Sequence, residues 1–115
     1  MTTNSGGSAI TYASDATNGD TFTILQAGIY AIQYSDINGS TSITIGVSKN
    51  SSQLSTSVDS ITLANRLVKT FTVAGSYCTC NTVAILAIGD IVRAHSDGNA
   101  NNSTGNFRIT QMARL

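Results

Sequence analysis

Apolar and polar residues alternate with a period of two along most of this chain. The pattern is clear in residues 29–34, where Tyr30, Ile32 and Tyr34 share one face, and it recurs in residues 42–47. A period of two places successive side chains on opposite faces of a β-strand, and these runs are rich in the β-branched residues that half-buried strands favour. No segment carries a capped run of helical period long enough to require a helix. The alternation predicts an all-β protein.

Eight segments carry the pattern and give the expected strands. They are residues 9–13, 21–24, 29–34, 42–47, 66–73, 82–86, 91–95 and 106–112. Asn-Gly and Asp-Gly pairs, which tolerate the positive φ of tight bends, lie between several of them. Residues 57–68 partly fit either period, and we predict an irregular segment that leads into the fifth strand. Eight short strands spaced by about 10 residues are typical of an antiparallel two-sheet sandwich or jelly roll.

The length of 115 residues fits one domain. We assign residues 1–8, a Ser/Thr/Gly-rich stretch without the basic and apolar regions of a signal peptide, to a polar linker, and residues 9–115 to the domain. No run of about 18 apolar residues is present, so we expect no membrane insertion. Aromatic residues make up 6% of the chain and Trp is absent. A core this poor in large side chains favours further burial between subunits.

Charge is sparse and balanced in this sequence. Charged residues make up 10% of the chain, with six Lys and Arg against six Asp, and no Glu. This balance offers no basic patch for nucleic acid or for an anionic membrane surface, so we expect neither as a partner. Glycosidases need paired carboxylates, and P-loop, dinucleotide-binding and nucleophile-elbow motifs are absent. The composition therefore indicates a binding protein rather than an enzyme.

Cys78 and Cys80 are the only cysteines of the chain, and His95 is its only histidine. On a strand the two thiols point to the same side, with Cα atoms roughly 6.6 Å apart, near the upper limit for a disulfide. We expect two buried free thiols. A metal site is not expected, because there is no second cysteine pair. No cofactor is predicted.

Two segments resemble motifs of a known family. Residues 28–32 (Gly-Ile-Tyr-Ala-Ile) and 86–92 (Leu-Ala-Ile-Gly-Asp-Ile-Val) resemble a strand and a turn-and-strand of the complement and tumour-necrosis-factor (TNF) type of jelly roll, and residues 107–109 resemble its last strand. In such a turn Gly89 allows the tight reversal and Asp90 accepts backbone N–H groups. The resemblance implies a TNF-like jelly roll with two sheets of about five strands each, assembled as a homotrimer.

The Ser/Thr/Asn-rich composition and residues 107–112 (Phe-Arg-Ile-Thr-Gln-Met) are similar to C-terminal head domains of bacteriophage tail fibres and tailspikes. This resemblance implies a viral protein on the virion, at the fibre tip, that attaches to the host by binding a cell-surface polysaccharide or receptor. Tyr12 or Tyr77 could offer a flat apolar face to a sugar ring. The alternative is a structural cap that trimerises and registers the upstream fibre shaft without a ligand. A cytokine-like or complement-like ligand fits the composition less well.

Four connections are expected at one end of the sandwich, if the strands run up and down and both termini lie at the base. These connections fall near residues 15–18, 36–40, 75–76 and 95–106. Polar loops on a rigid scaffold commonly carry binding sites. We therefore predict a set of ligand-binding residues, none of them catalytic: Asp36, Asn38, His95, Asp97, Asn99, Asn101 and Asn102. The alternative is a solvated end in which Asn and Gly serve turn geometry.

His95 has several possible roles. A catalytic base needs a positioned nucleophile and an orienting acid, and the sequence gives no such geometry for it. We expect instead a surface histidine, or one on a trimer axis, where three copies could bind a metal or an anion. Asp97, Asn99 and Asn101 begin like a calcium-binding loop, but the Glu that ends such a loop is absent from the chain. We predict no metal site there.

Overall fold

A computed structural model describes residues 8–15, 19–37, 42–51, 57–72, 76–96 and 105–115. In these ranges the chain forms eight strands: β1 (Ile10–Ala13), β2 (Thr21–Ile24), β3 (Gly28–Ile37), β4 (Ile43–Lys49), β5 (Arg66–Thr72), β6 (Tyr77–Leu86), β7 (Ile91–Ser96) and β8 (Asn106–Arg114). The all-β prediction is confirmed, and every predicted strand is present. Several extend past their predicted ends, and the largest differences are that β3 continues to Ile37 and β6 begins at Tyr77. No described helix has the length and apolarity needed to cross a membrane.

The strands form two antiparallel sheets. The five-stranded sheet has the order β1-β2-β7-β4-β5 and the three-stranded sheet the order β6-β3-β8. Each neighbouring pair is antiparallel. The predicted two-sheet jelly-roll sandwich is therefore confirmed. The second sheet has three strands in the described part of the chain, where the resemblance implied about five.

The core lies between the two sheets and is built from the alternating residues of the strands. On β3 the burial pattern alternates, so that Tyr30, Ile32 and Tyr34 are buried while their neighbours are half-buried or exposed. The other buried apolar residues of this core are Phe22, Ile24, Ile43, Ile45, Val47, Cys78, Cys80, Leu86 and Val92. Full burial of an aliphatic side chain of this size stabilises the fold by about 1.5–3 kcal/mol. The apolar residues of the alternating pattern thus form the inner faces of the two sheets.

The irregular segment before β5 is present as predicted. Two short 3-10 turns, Val58–Ser60 and Leu63–Asn65, precede β5. Val58 is fully buried. The Arg66 guanidinium donates hydrogen bonds to the backbone carbonyls of Asp59 (3.1 Å) and Ile61 (3.0 Å) and so ties this segment to the start of β5.

The turn between β6 and β7 has the geometry that its sequence predicted. Gly89 has a positive φ of 90°. One Asp90 carboxylate oxygen accepts the Ala87 N–H at 2.9 Å, and the other accepts the Asn50 side-chain amide at 2.9 Å. Burial opposes ionisation of Asp90, but the hydrogen bonds from Asn50 and Ala87 outweigh it and lower the pKa of this carboxyl. The turn is therefore fixed to the end of β4 as well as closed within itself.

One end of the sandwich, the base, holds both ends of the described chain. The Leu25 N–H donates to the Ala9 carbonyl just before β1 (2.8 Å), and the Leu115 N–H donates to the Ala27 carbonyl just before β3 (3.1 Å). The Gly89 N–H also donates at this end, to the Ile24 carbonyl at 2.8 Å. The start of β1, the end of β8 and the short connections between β2 and β3 and between β6 and β7 therefore all lie at the base.

The opposite, distal end follows from the antiparallel pairing. The strand ends joined by residues 14–20, 38–42, 73–76 and 97–105 all point away from the base. This is the arrangement predicted from the sequence, with four connections at one end and the termini at the other. Because connections on a rigid sandwich commonly carry binding sites, the distal end is the first place to look for function.

Candidate functional site

An aromatic row closes the sandwich beneath the distal connections. Tyr12 and Phe22 from the five-stranded sheet lie with ring centroids 5.3 Å apart, and Phe22 stacks on Phe107 of the three-stranded sheet at 4.7 Å. Tyr34 continues the row at 6.2 Å from Phe107. The row links the two sheets near the distal ends of their strands.

A carboxylate lies at each end of this aromatic row. The Tyr12 hydroxyl donates to Asp20 at 2.7 Å, and the Tyr34 hydroxyl donates to Asp36 at 2.8 Å. The hydrogen bond to Asp20 and burial raise the pKa of Tyr12, whereas burial and then the hydrogen bond to Asp36 raise the pKa of Tyr34. Both phenols therefore stay neutral and remain hydrogen-bond donors across the ordinary pH range.

Asp36, one of the predicted ligand-binding residues, lies inside the protein. Its side chain is only 4% exposed, and besides Tyr34 it accepts the Ile37 N–H at 2.8 Å. A Cβ on Gly105 would lie 3.1 Å from the Asp36 carboxylate, so the chain just before β8 packs closely over it. The Asp36 carboxylate thus accepts hydrogen bonds inside the protein near its distal end and is not presented on the surface of the protomer.

His95 is fully buried, so the expectation of a surface histidine is wrong. Its Nε2 atom lies 2.6 Å from the Ser48 hydroxyl and 3.1 Å from the Ser51 hydroxyl. The two hydroxyl oxygens are 2.6 Å apart. The three side chains form a compact polar cluster inside the protomer. The His95 side chain is therefore not presented on the surface of the protomer.

Coverage by the segment between β4 and β5 explains this burial. His95 is the cross-strand partner of Gly46, which points to the outer face of the five-stranded sheet because its neighbours Ile45 and Val47 fill the core. A Cβ on Gly46 would lie 3.0 Å from a Val58 methyl carbon. The outer face that sequence alternation assigned to solvent is therefore covered by another part of the chain.

The predicted ligand-binding residues do not form one described site. Asp36 lies on β3 between the sheets, whereas His95 lies on β7 on the outer side of the other sheet. The remaining five, Asn38, Asp97, Asn99, Asn101 and Asn102, are outside the described residues. Ligand contact by these five stays a prediction.

The outer face of the three-stranded sheet is a second candidate, which the sequence analysis missed. Three large apolar side chains point outward from it, with exposed fractions of 60% for Val83, 68% for Ile85 and 63% for Met112. The sequence did hold a signal, because residues 83–86 (Val-Ala-Ile-Leu) are apolar at consecutive positions, as in strands covered on both faces. This face has no covering segment among the described residues, unlike the outer face of the five-stranded sheet.

A cleft of about 370 Å³ lies in the middle of this outer face. Its outward-facing lining consists of Ala31, Gln33, Asn81, Val83, Arg108 and Thr110. The register places Gln33 between Asn81 and Arg108 in one row across the three strands, and Ala31 between Val83 and Thr110 in the next. The cleft is thus polar toward the distal end and more apolar toward the base.

The described residues do not gather three or more His, Cys, Asp or Glu side chains that could hold a metal ion. Cys78 and Cys80 are free thiols and buried, as the sequence predicted. Burial, with a contribution from the neighbouring Cys78, raises the pKa of Cys80 to about 12. Such thiols are poor nucleophiles at neutral pH.

Comparison with known proteins gives a structural relationship only. No family model matches the sequence, and no curated protein matches it. Solved structures do match. GITRL from rabbit superposes with a TM-score of 0.62 at 14% identity, over 93% of this chain and 79% of that one. GITRL from pika gives 0.62 at 16% identity, over 97% and 87%. GITRL from bushbaby gives 0.60 at 17% identity, over 90% and 77%.

The fold is a TNF-like jelly roll. This confirms the fold that the motifs in residues 28–32 and 86–92 implied. Identities of 14–17% establish the fold alone, since one fold carries many functions. The function of this TNF-like domain must therefore be argued from its own surfaces.

Proposed function

We propose that this domain is a non-enzymatic homotrimeric head whose copies pack through the outer face of the three-stranded sheet. The observation that carries the proposal is the outward exposure of Val83, Ile85 and Met112 on a face that no described segment covers. Trimeric assembly is what the TNF-like resemblance implies. Each of these side chains contributes about 1.5–3 kcal/mol if it becomes fully buried between copies.

The contrast between the two outer faces supports this choice of interface. The chain covers the outer face of the five-stranded sheet with its own segment, in which Val58 and Ile61 are buried. The three-stranded sheet leaves its apolar residues to solvent. A monomer that exposes a contiguous apolar strip of this kind gains by association, and a core poor in aromatic residues gains further stability from it.

We further propose that the head sits on the virion at the tip of a phage tail fibre or tailspike and contacts host-surface polysaccharide or a receptor. Supporting this, both described chain ends lie at the base and four polar connections lie at the distal end. The proposed contact residues are Asn38, Asp97, Asn99, Asn101 and Asn102. Tyr77 is exposed at the start of β6 and could add a flat apolar face for a sugar ring.

The second candidate is a structural cap that trimerises and registers the shaft without binding a ligand. The burial of Asp36 and His95 supports it, because both side chains make hydrogen bonds within the protomer. The cap requires the same trimer but no distal contact. The two candidates therefore agree on assembly and differ only at the distal end.

The particle mass in solution, measured by light scattering, tests the shared trimer. We expect three times the 11.9 kDa chain mass, and a monomer at working concentration contradicts both candidates. Binding of the labelled trimer to host cells and to their purified polysaccharide then separates them. Loss of that binding on replacing Asn99, Asn101 and Asn102 by Ala, with Thr62→Ala, at an exposed position in the segment before β5, as a control away from the distal connections, supports the receptor-binding head. Absence of any binding by the intact trimer supports the cap.

A further inference from the structure

Among the described residues, those that line the cleft on the outer face of the three-stranded sheet include one cationic side chain and no anionic one. Arg108 lies on β8 at one end of a row that runs through Gln33 to Asn81, and all three side chains are exposed. Guanidinium and amide groups in one row present several N–H donors to the same volume. The adjacent row, Thr110, Ala31 and Val83, adds a hydroxyl and two small apolar groups.

No acidic residue shares this face in the described strands. The outward positions are Ile29, Ala31, Gln33, Ser35 and Ile37 on β3, Tyr77, Thr79, Asn81, Val83 and Ile85 on β6, and Asn106, Arg108, Thr110, Met112 and Ala113 on β8. Four of the six aspartates are engaged elsewhere: Asp20 by Tyr12, Asp36 by Tyr34, Asp59 by Lys69 and Asp90 by Asn50. The described part of this face therefore offers no counter-charge to Arg108.

Assembly through this face would make that imbalance costly. When copies pack over the cleft, Arg108 loses water, and a desolvated charge without a partner is strongly unfavourable. Several copies of Arg108 brought near one axis would also repel one another. An anion in the cleft removes both penalties, since a guanidinium pairs with an oxyanion through two parallel hydrogen bonds.

We propose that this cleft binds an oxyanion, a carboxylate, sulfate or phosphate group, through Arg108 with Gln33, Asn81 and Thr110, and that binding promotes assembly. The binding stands on the cleft itself, whereas its coupling to assembly rests on the proposed trimer. Ala31 and Val83 offer an apolar wall to the body that carries the acid group. The group can therefore come from a free inorganic anion or from an acidic sugar.

Titration of the intact chain by NMR tests the site directly. The probes are sodium sulfate, sodium phosphate and sodium glucuronate, with glucose as the neutral match for glucuronate and sodium chloride to hold ionic strength constant. We expect shifts of the Gln33 and Asn81 side-chain amides with the anions and none with glucose. A response to glucuronate that exceeds the response to sulfate and phosphate identifies an acidic sugar as the better ligand.

Arg108→Gln and Arg114→Gln provide a matched pair of variants, because both remove one exposed cation from β8 and only Arg108 lines the cleft. Arg108→Gln should weaken anion binding at least roughly tenfold, as expected for loss of hydrogen bonds to a charged group, and Arg114→Gln should leave it unchanged. Absent shifts, or equal shifts in the two variants, overturn the proposal.

The particle mass as a function of protein concentration tests the coupling. Sulfate at constant ionic strength should lower the concentration at which the wild type assembles and should not affect Arg108→Gln. If wild type and Arg108→Gln both form trimers and sulfate changes the assembly of neither, the coupling is overturned and the proposed trimer still stands. A monomer under every condition contradicts the proposed function, and the NMR titration still decides whether the cleft binds an anion.

Discussion

Val58 packs so closely against Gly46 that a Cβ on residue 46 would lie 3.0 Å from a Val58 methyl carbon. The same Cβ would lie 2.6 Å from the Val68 carbonyl oxygen on the neighbouring strand. This contact is where the segment before β5 seals the outer face of the five-stranded sheet. The three-stranded sheet has no such covering segment among the described residues. For this reason we place the proposed interface on its outer face.

Replacing Gly46 by Ala should destabilise the domain. The added methyl group would clash with the Val68 carbonyl oxygen and crowd the Val58 side chain. Overpacking of this kind costs about 1–3 kcal/mol. Chemical denaturation followed by circular dichroism measures the loss. Ser42→Ala, at an exposed position before β4, is the control and should change stability little. Equal stability of the two variants would show that Val58 does not pack on Gly46.

The buried polar cluster predicts a second stability effect. Ser48→Ala removes the nearer of the two hydroxyl contacts to the His95 Nε2 atom and should lower the unfolding free energy by about 1–3 kcal/mol, the cost of weakening a buried hydrogen bond. Ser35→Ala, at a half-exposed position on β3, is the matched change. The imidazole resonances of His95 should shift in Ser48→Ala alone. Unchanged resonances there would contradict the burial of His95 against Ser48.

Asp90 predicts part of the acid sensitivity of the fold. Its folded pKa lies below the ordinary value of 3.8, so between the two values the unfolded chain binds more protons and stability rises with pH. The contribution is complete above the ordinary pKa and is lost as pH falls through the folded one. Asp90→Asn, which keeps an acceptor oxygen, should flatten the acid limb of the stability curve. An acid limb as steep as that of the wild type would contradict this role of Asp90.

The two thiols should resist alkylation in the folded protein. Both side chains are buried and so shielded from the reagent, and Cys80, whose pKa is raised to about 12, holds little thiolate at pH 8. Iodoacetamide at that pH should leave both unmodified by intact mass until denaturant is added. Leu63→Cys, at a position that is 80% exposed and lies away from the proposed interface, should react at once. Fast labelling of wild type at the same rate would show that β6 opens readily.

The sequence predicted the strands and their ends well because they depend on local alternation and turn chemistry. Gly89 and Asp90 mark their turn through their own conformational and hydrogen-bonding preferences. The four distal connections followed from strand count alone. Even so, β6 began earlier than predicted, because the polar residues at its outward positions, such as Thr79 and Asn81, interrupt the apolar run without interrupting the pairing with β3.

The burial of His95 could not be predicted, because it depends on a segment distant in sequence. Val58 and Ser51 lie against the outer face of the sheet because they belong to the segment that connects the paired strands β4 and β5. Asp36 was assigned to the surface for a similar reason, since its burial requires Tyr34 and the approach of Gly105. The apolar outer face of the three-stranded sheet could have been predicted from the sequence. Val83 and Ile85 are apolar at positions where strict alternation would place polar residues.

Assembly through the outer face of the three-stranded sheet is tested most directly by the particle mass of Val83→Lys beside that of wild type. Val83 lines the cleft on that face and is 60% exposed. Leu63→Lys is the control, because Leu63 is exposed on the segment that leads into β5 in the other sheet. Light scattering should give three times the chain mass for wild type and Leu63→Lys, and a single chain mass for Val83→Lys. A monomeric wild type, or a Val83→Lys particle as large as the wild type, would contradict the proposed interface.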